Sequence, residues 1–256
     1  MEISRHIEAV RDEGRRFAEA GASTSLDTPI QYCPGWTMRD LLRHLSEIHL
    51  WASAHVALRA TKMWVDDLAE LTGYWPDLAV FWPDDSELVD HYLATNENLL
   101  KALENAPADL DAMTFLPAPS PLAMWARRQA HEIAVHRYDA EHAAGMISGF
   151  DPLFAADGID ELLCAFAPRR NSLPVNDTKR MGITTVDTAD QWVVTLGPDG
   201  IETSRGGGDT DVNVTGTAED LYLMTWNRGD RDTLLIDGDR SVIDTWHGNQ
   251  RVRWED

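Results

Sequence analysis

Residues 122–145, LAMWARRQAHEIAVHRYDAEHAAG, decide how the chain is read. Trp125, Gln129, Ile133 and Ala140 recur at helical spacing and the run stops at Gly145, which suits a core-facing helix with a glycine end. Glu132 and His136 share or border that stripe. Four residues apart, they bring their Cβ atoms to about 5–6 Å on one face. An ionised carboxylate turned inward is costly unless something positive pairs with it. Either a metal cation supplies that charge, or Arg128 or His136 on the same helix does.

Three further helices precede this one. Residues 1–21 place Ile3, Ile7, Val10, Phe17 and Ala18 near helical spacing and are expected to stop at Gly21. In CPGWTMRD, Thr37 and Asp40 have the form of a capping box, so a second helix is expected from near Thr37 to about Arg59. Met38, Leu41, Leu42, Leu45, Ile48, Trp51 and Ala52 form its buried stripe, and His44 lies on the same side. Ser86 is expected to cap a third helix, ELVDHYLATNENLLKALENA, and the Pro-rich stretch 107–121 breaks the chain before the fourth. Between the second and third helices, residues 60–85 carry Trp64, Tyr74, Trp75, Phe81 and Trp82, a long aromatic connection that suits a pocket lid or packing across a bundle end.

From about residue 151 long helices give way to short alternating runs. DPLFAADGIDELLCAFAPRR reads as one helix, QWVVTLG, GIETSRG and TDVNVTG as strands, AEDLYLMTWNRG as a helix, TLLIDGD as a strand and SVIDTWHG as a closing helix. Gly206–Gly208 falls between two of these strands and is read as a hairpin turn, not a phosphate cradle. The expected architecture is a four-helix bundle over 1–150 followed by a small α+β domain over 151–256.

If the second and fourth helices pack together, His44 joins Glu132 and His136 in a three-ligand site. Two histidines and a carboxylate suit zinc with an open fourth position, and iron(II), nickel or cobalt fit the same ligands. H-E-x-x-x-H at 131–136 is not the zincin signature, because His131 and His136 are five apart and face different sides. The competing reading makes His44 a hydrogen-bonded core residue and Glu132 a partner of its own helix. His49, His55, His91, His131 and His142 are read as surface or structural, and Glu47 and Asp139 as solvated helix charges. Cys33 and Cys164, too few for a disulfide framework, are read as half-buried thiols.

Composition narrows the partners. The net charge is −21, spread evenly, with 12 basic against 23 acidic residues in 1–150 and 10 against 20 in 151–256. Such a chain repels phosphate backbones, and its Arg pairs form no stripe, so nucleic acid is not an expected partner. No apolar run suits a membrane span, and the N-terminus lacks the apolar core of a secretory signal, which places the protein in the cytoplasm.

PGWTMRDLLRHLSEIHLW (34–51), WARRQAHEIAVHRYDAE (125–141) and GTAEDLYLMTWNRGD (216–230), with the trailing D-G-D and Trp246, resemble in order the mycothiol-dependent maleylpyruvate isomerase family. The resemblance implies a DinB-like metal-binding four-helix bundle and a C-terminal α/β domain similar to sterol-carrier proteins. It implies zinc on the histidine of D-L-L-x-H-L and on the E-x-x-x-H pair, which are His44, Glu132 and His136 here. In the family-like W-x-R motif, Trp226 and Arg228 are expected to bind the thiol cofactor, with Arg228 also the candidate catalytic residue, holding an anionic substrate or thiol cofactor; a surface arginine after a helix is the alternative. The implied chemistry is that of a metal-activated mycothiol thiolate. It would attack a small electrophilic substrate, as a cis/trans isomerase or an S-transferase. A non-catalytic metal-containing ligand-binding or stress-response module is the other reading. One chain supplies every expected element, so a monomer or weak dimer is sufficient.

Overall fold

The computed structural model describes residues 1–63, 83–170 and 172–249, so most of the aromatic connection, including Trp64, Tyr74, Trp75, Phe81 and Trp82, lies outside the described residues. The chain divides into two compact units, Met1–Ser148 and Gly149–Asp256.

The described helices of the first unit are α1 (Ile3–Ala22), α2 (Met38–Ala57), α3 (Leu88–Asn105) and α4 (Pro121–Ala144). They form a ring in the order α1–α4–α2–α3, so α2 and α4 are neighbours although far apart in sequence. The start of α2 is fixed by Asp40, whose Oδ2 accepts the Thr37 backbone N–H at 2.8 Å and the Thr37 hydroxyl at 2.6 Å. At the start of α4, the Ser120 hydroxyl oxygen accepts the Ala123 N–H at 3.2 Å and Pro121 occupies the first turn; Gly145 ends the helix at φ 70°. Ser86 does not cap α3. Asp85–Glu87 form a 3-10 turn that feeds directly into it.

The buried stripe of α1 is rotated from the expected one: His6, Val10, Glu13, Gly14 and Phe17 face inward, while Ile3 and Ile7 are only half-buried. The rotation follows from Arg137 of α4, a fully buried guanidinium that pairs with Glu13 at 2.6 Å and Glu141 at 2.7 Å and donates to the Ser148 carbonyl at 2.6 Å. A buried charge requires such partners, and Glu13 is drawn inward to be one. Nor does Gly21 stop α1. It stays helical and buried, and a Cβ there would lie 3.3 Å from Leu42 Cδ2, so its small size admits α2. Phe17, Met38, Leu41, Leu42, Leu45, Leu88 and Tyr92 fill the core between the helices.

The second unit opens with α5 (Pro152–Glu161), capped by Asp151. The expected single helix instead widens into a π-turn at Leu162–Phe166 and tightens into a 3-10 turn at Ala167–Arg169, where Pro168 lacks the N–H needed to continue the ladder. The strands are β1 (Lys179–Thr185), β2 (Gln191–Gly197), β3 (Gly200–Arg205), β4 (Val212–Gly216) and β5 (Leu235–Gly238), arranged β3-β2-β1-β4-β5. The middle strand, β1, is one the sequence reading passed over; it pairs antiparallel with β2 and parallel with β4. Gly206–Gly208 is therefore not a hairpin turn. It belongs to the crossing from edge strand β3 to β4 on the far side of β1. Helices α6 (Ala218–Thr225) and α7 (Ser241–Asn249) complete the unit, and the buried Trp246 indole of α7 donates to the Thr225 carbonyl at 3.1 Å. Among the described residues no helix is long and apolar enough to cross a membrane.

Candidate metal centre

Because α2 and α4 are neighbours, His44 from one meets Glu132 and His136 from the other. His44 Nε2 lies 3.3 Å, and His136 Nε2 3.5 Å, from the same Glu132 Oε1. One donor atom from each of the three falls within 4.8 Å of the others, and the two imidazoles stand edge to face with centroids 5.2 Å apart. Two donors each 2.0–2.1 Å from a tetrahedral zinc lie roughly 3.3–3.4 Å apart. The 3.3 and 3.5 Å separations of the two imidazole nitrogens from the carboxylate oxygen are close to that spacing. Two imidazole nitrogens and a carboxylate oxygen thus form a donor set that fits a divalent ion.

The alternative partner weighed for Glu132 is present as well, on its other oxygen. Arg128, only 5% exposed, donates to Oε2 at 2.6 Å and leaves Oε1 to the histidines. Burial pushes the Glu132 carboxyl up, but the Arg128 charge and the hydrogen bonds with His136 and His44 outweigh it and hold the group well below the usual carboxylate range. The two histidines diverge. Burial and the neighbouring His136 push His44 down against the pull of Glu132. Burial also opposes a charge on His136, but hydrogen bonds with Asp139, Cys33 and Glu132 reverse the balance and raise it well above its ordinary value.

Several participants escaped the sequence reading. Asp139 is no solvated helix charge: it is 1% exposed and its Oδ2 accepts the His136 Nδ1–H at 2.9 Å. Its spacing, three residues beyond His136 on one face, was the available signal. Cys33 is buried, not half-buried, and its thiol donates to the same oxygen at 3.5 Å; it comes from the loop before α2, where no periodicity could mark it. Trp36, in that loop, lays its ring 5.0 Å from His44 and 6.4 Å from His136. Of the remaining histidines, His49, His55 and His131 are core residues, His91 and His142 are partly buried, and Glu47 is exposed.

Trp226 and Arg228 lie in the second unit, directly after α6. The W-x-R motif closes that helix: Asn227 adopts φ 62°, its N–H donates to Met224 O at 3.0 Å, and the Arg228 N–H donates to Leu223 O at 2.7 Å. This pair of bonds is a Schellman cap with asparagine in the left-handed position. The cap fixes the backbone of half-buried Arg228, whose guanidinium donates to the Trp226 carbonyl at 2.7 Å.

Comparison with known proteins agrees with this architecture. The chain is similar in fold to the crystal structure of the mycothiol-dependent maleylpyruvate isomerase (TM-score 0.61, 14% identity) and to that of a mutant of the same enzyme (TM-score 0.64, 12% identity). Each alignment covers 92% of this chain and 93% of the other. At such identities the likeness is one of fold. No curated protein matches the chain. The family model for the mycothiol maleylpyruvate isomerase N-terminal domain matches residues 7–141, and that for the MDMPI C-terminal domain matches residues 154–245. With the first spanning more than half of the sequence and the second most of the rest, in that order, the chain belongs to the mycothiol maleylpyruvate isomerase family.

Proposed function

We propose that the protein is a metal-dependent enzyme that uses mycothiol, a low-molecular-weight sugar thiol, on a small electrophilic substrate, either as a cis/trans isomerase or as an S-transferase. The observation that carries this reading is the meeting of His44, Glu132 and His136 within 4.8 Å of one another in the region matched by the family's N-terminal domain. These three residues would hold the ion, with zinc foremost among divalent candidates. A divalent cation with an open position lowers the pKa of a coordinated thiol, and mycothiol supplies such a thiol as nucleophile.

The chain's own residues prepare that site. Arg128 holds one oxygen of Glu132 in place and so aims the other at the imidazoles. Trp36 packs its ring beside both imidazoles, tilted against His44 and stacked toward His136. Taken by itself, the second unit offers Arg228, planar and permanently charged, as a group suited to an anionic part of thiol or substrate, with Trp226 beside it.

Metal analysis of protein purified without chelator, followed by thermal-shift titration with mycothiol, tests the reading. About one metal ion per chain is expected, with stabilisation by the thiol that vanishes in Glu132→Ala. His44→Ala, which leaves Glu132 paired with Arg128, serves if the first variant does not fold. Bound metal with thiol binding indifferent to both substitutions would favour the non-catalytic metal-containing ligand-binding or stress-response module instead, and protein without metal would overturn both readings. Turnover assays with a cis-alkene conjugated to a carbonyl, and with an alkylating electrophile, separate isomerase from S-transferase.

A further inference from the structure

The two ring nitrogens of His136 face different partners. Nε2 faces Glu132 at 3.5 Å, and Nδ1 faces Asp139 Oδ2 at 2.9 Å. Asp139 is three residues further along α4, 1% exposed, and its Oδ2 also accepts from the Cys33 thiol at 3.5 Å. A carboxylate this deep in a helical bundle is costly, so its position needs a reason beyond solubility.

We propose that Asp139 is a positioning residue of the metal centre: by accepting the Nδ1–H of His136 it fixes the tautomer whose Nε2 is left to bind metal, with Cys33 orienting the carboxylate as a donor. Cys33, His136 and Asp139 also lie close enough together to form a ligand set of their own. Distance decides against that role. At 2.9 Å the nitrogen–oxygen pair is at hydrogen-bond length and shorter than the roughly 3.3–3.4 Å between two donors on one zinc. A carboxylate on the far nitrogen of a metal-bound imidazole holds the ring's orientation and raises its basicity. The inference rests on the metal reading above.

The test compares zinc affinity, by competition with a chromogenic chelator, between the wild-type chain and Asp139→Asn, alongside the thermal stability of both metal-free proteins. Affinity is expected to fall about 10–100-fold in Asp139→Asn. Cys33→Ser, which keeps a donor, is expected to retain the wild-type affinity. If the wild type binds zinc and Asp139→Asn binds it equally well, with only metal-free stability altered, Asp139 is structural and the inference fails alone. If the wild type binds no zinc, the metal reading itself fails. Nitrogen-15 spectra of histidine-labelled, zinc-loaded wild type decide the matter even if Asp139→Asn does not fold: a protonated Nδ1 and a metal-bound Nε2 on His136 are expected, and metal on Nδ1 overturns the proposal. A sulfur-to-metal charge-transfer band in cobalt-substituted protein without added thiol, lost in Cys33→Ser, would overturn it equally.

Discussion

His44 Nε2 and Glu132 Oε1 meet at 3.3 Å although 88 positions separate the two residues in the chain. Glu132 is bound on both sides, since Arg128 takes its other oxygen at 2.6 Å, and the two substitutions should therefore fail differently. In metal-free protein, Glu132→Ala leaves the Arg128 guanidinium buried without that counter-charge, and a loss of about 3 kcal/mol is expected. His44→Ala removes a largely buried ring that burial keeps uncharged near neutral pH and that gains its charge only in acid, so it should cost less, while abolishing stoichiometric metal. Urea unfolding of both variants in chelator checks the order, which equal losses would contradict.

The buried Arg137 gives a second prediction. It joins α4 to α1 through Glu13, pairs with Glu141 on its own helix and reaches the Ser148 carbonyl beyond the end of α4. Arg137→Met fills much of the same volume but strands two carboxylates, and a loss of about 3–5 kcal/mol is expected. Adding Glu13→Leu and Glu141→Leu should recover a large part of it, since a buried ion cluster contributes little net stability against apolar residues of similar size. Denaturation of the single and triple variants measures both; a triple variant less stable than Arg137→Met would show that the cluster itself is strongly stabilising.

The sequence displays the candidate site more readily than the way it is supported. His44, Glu132 and His136 were legible because each lies on an apolar stripe of a long helix, where spacing converts directly into facing. Arg137 and Glu13 were not, because a buried ion pair puts charge where periodicity expects apolar residues and rotates α1 away from Ile3 and Ile7. Asp139 misled for the same reason. Strand β1 was passed over because KRMGITT offers only Met181 and Ile183 as alternating apolar residues, and its central place comes from long-range pairing with β2 and β4. Gly206–Gly208 suggests a hairpin because strands adjacent in sequence are usually adjacent in the sheet, which the β3-β2-β1-β4-β5 order denies.

Close approach of α1 and α3 yields a third prediction. A Cβ on Gly14 would lie 2.7 Å from the side-chain oxygen and nitrogen of Asn96, which is buried and donates to the Val10 carbonyl at 3.4 Å. Alanine in mid-helix gains about 1 kcal/mol over glycine, but forcing a methyl into a filled interface costs about 1–3 kcal/mol. Gly14→Ala should thus be net destabilising on its own and become stabilising when Asn96→Ala has cleared the space. A thermal double-mutant cycle reads the sign change, and its absence would mean that Asn96 simply turns aside.

His49 provides the last prediction, a dependence on acid. It is fully buried on α2 against the Tyr92 ring at 5.2 Å, its Nδ1 lies 3.4 Å from the Thr95 hydroxyl, and His44 and Glu132 are the charged groups that act on it. Burial, and next the His44 charge, push its pKa down to about 3 despite the opposing pull of Glu132. In the unfolded chain the same ring titrates near about 6.5. Between those values the unfolded state takes up a proton that the folded state refuses, so acidification favours unfolding by up to about 1.4 kcal/mol per pH unit. Above about pH 6.5 the ring is neutral in both states and contributes no slope. His49→Gln, neutral throughout, should lose less stability than the wild type as pH falls from about 6 to about 4. Chelator-stripped protein is the proper material, because any metal held at His44, Glu132 and His136 would be released in acid with its own uptake of protons by the freed side chains. Parallel stability curves for the two proteins over that window would mean that His49 takes up its proton inside the fold.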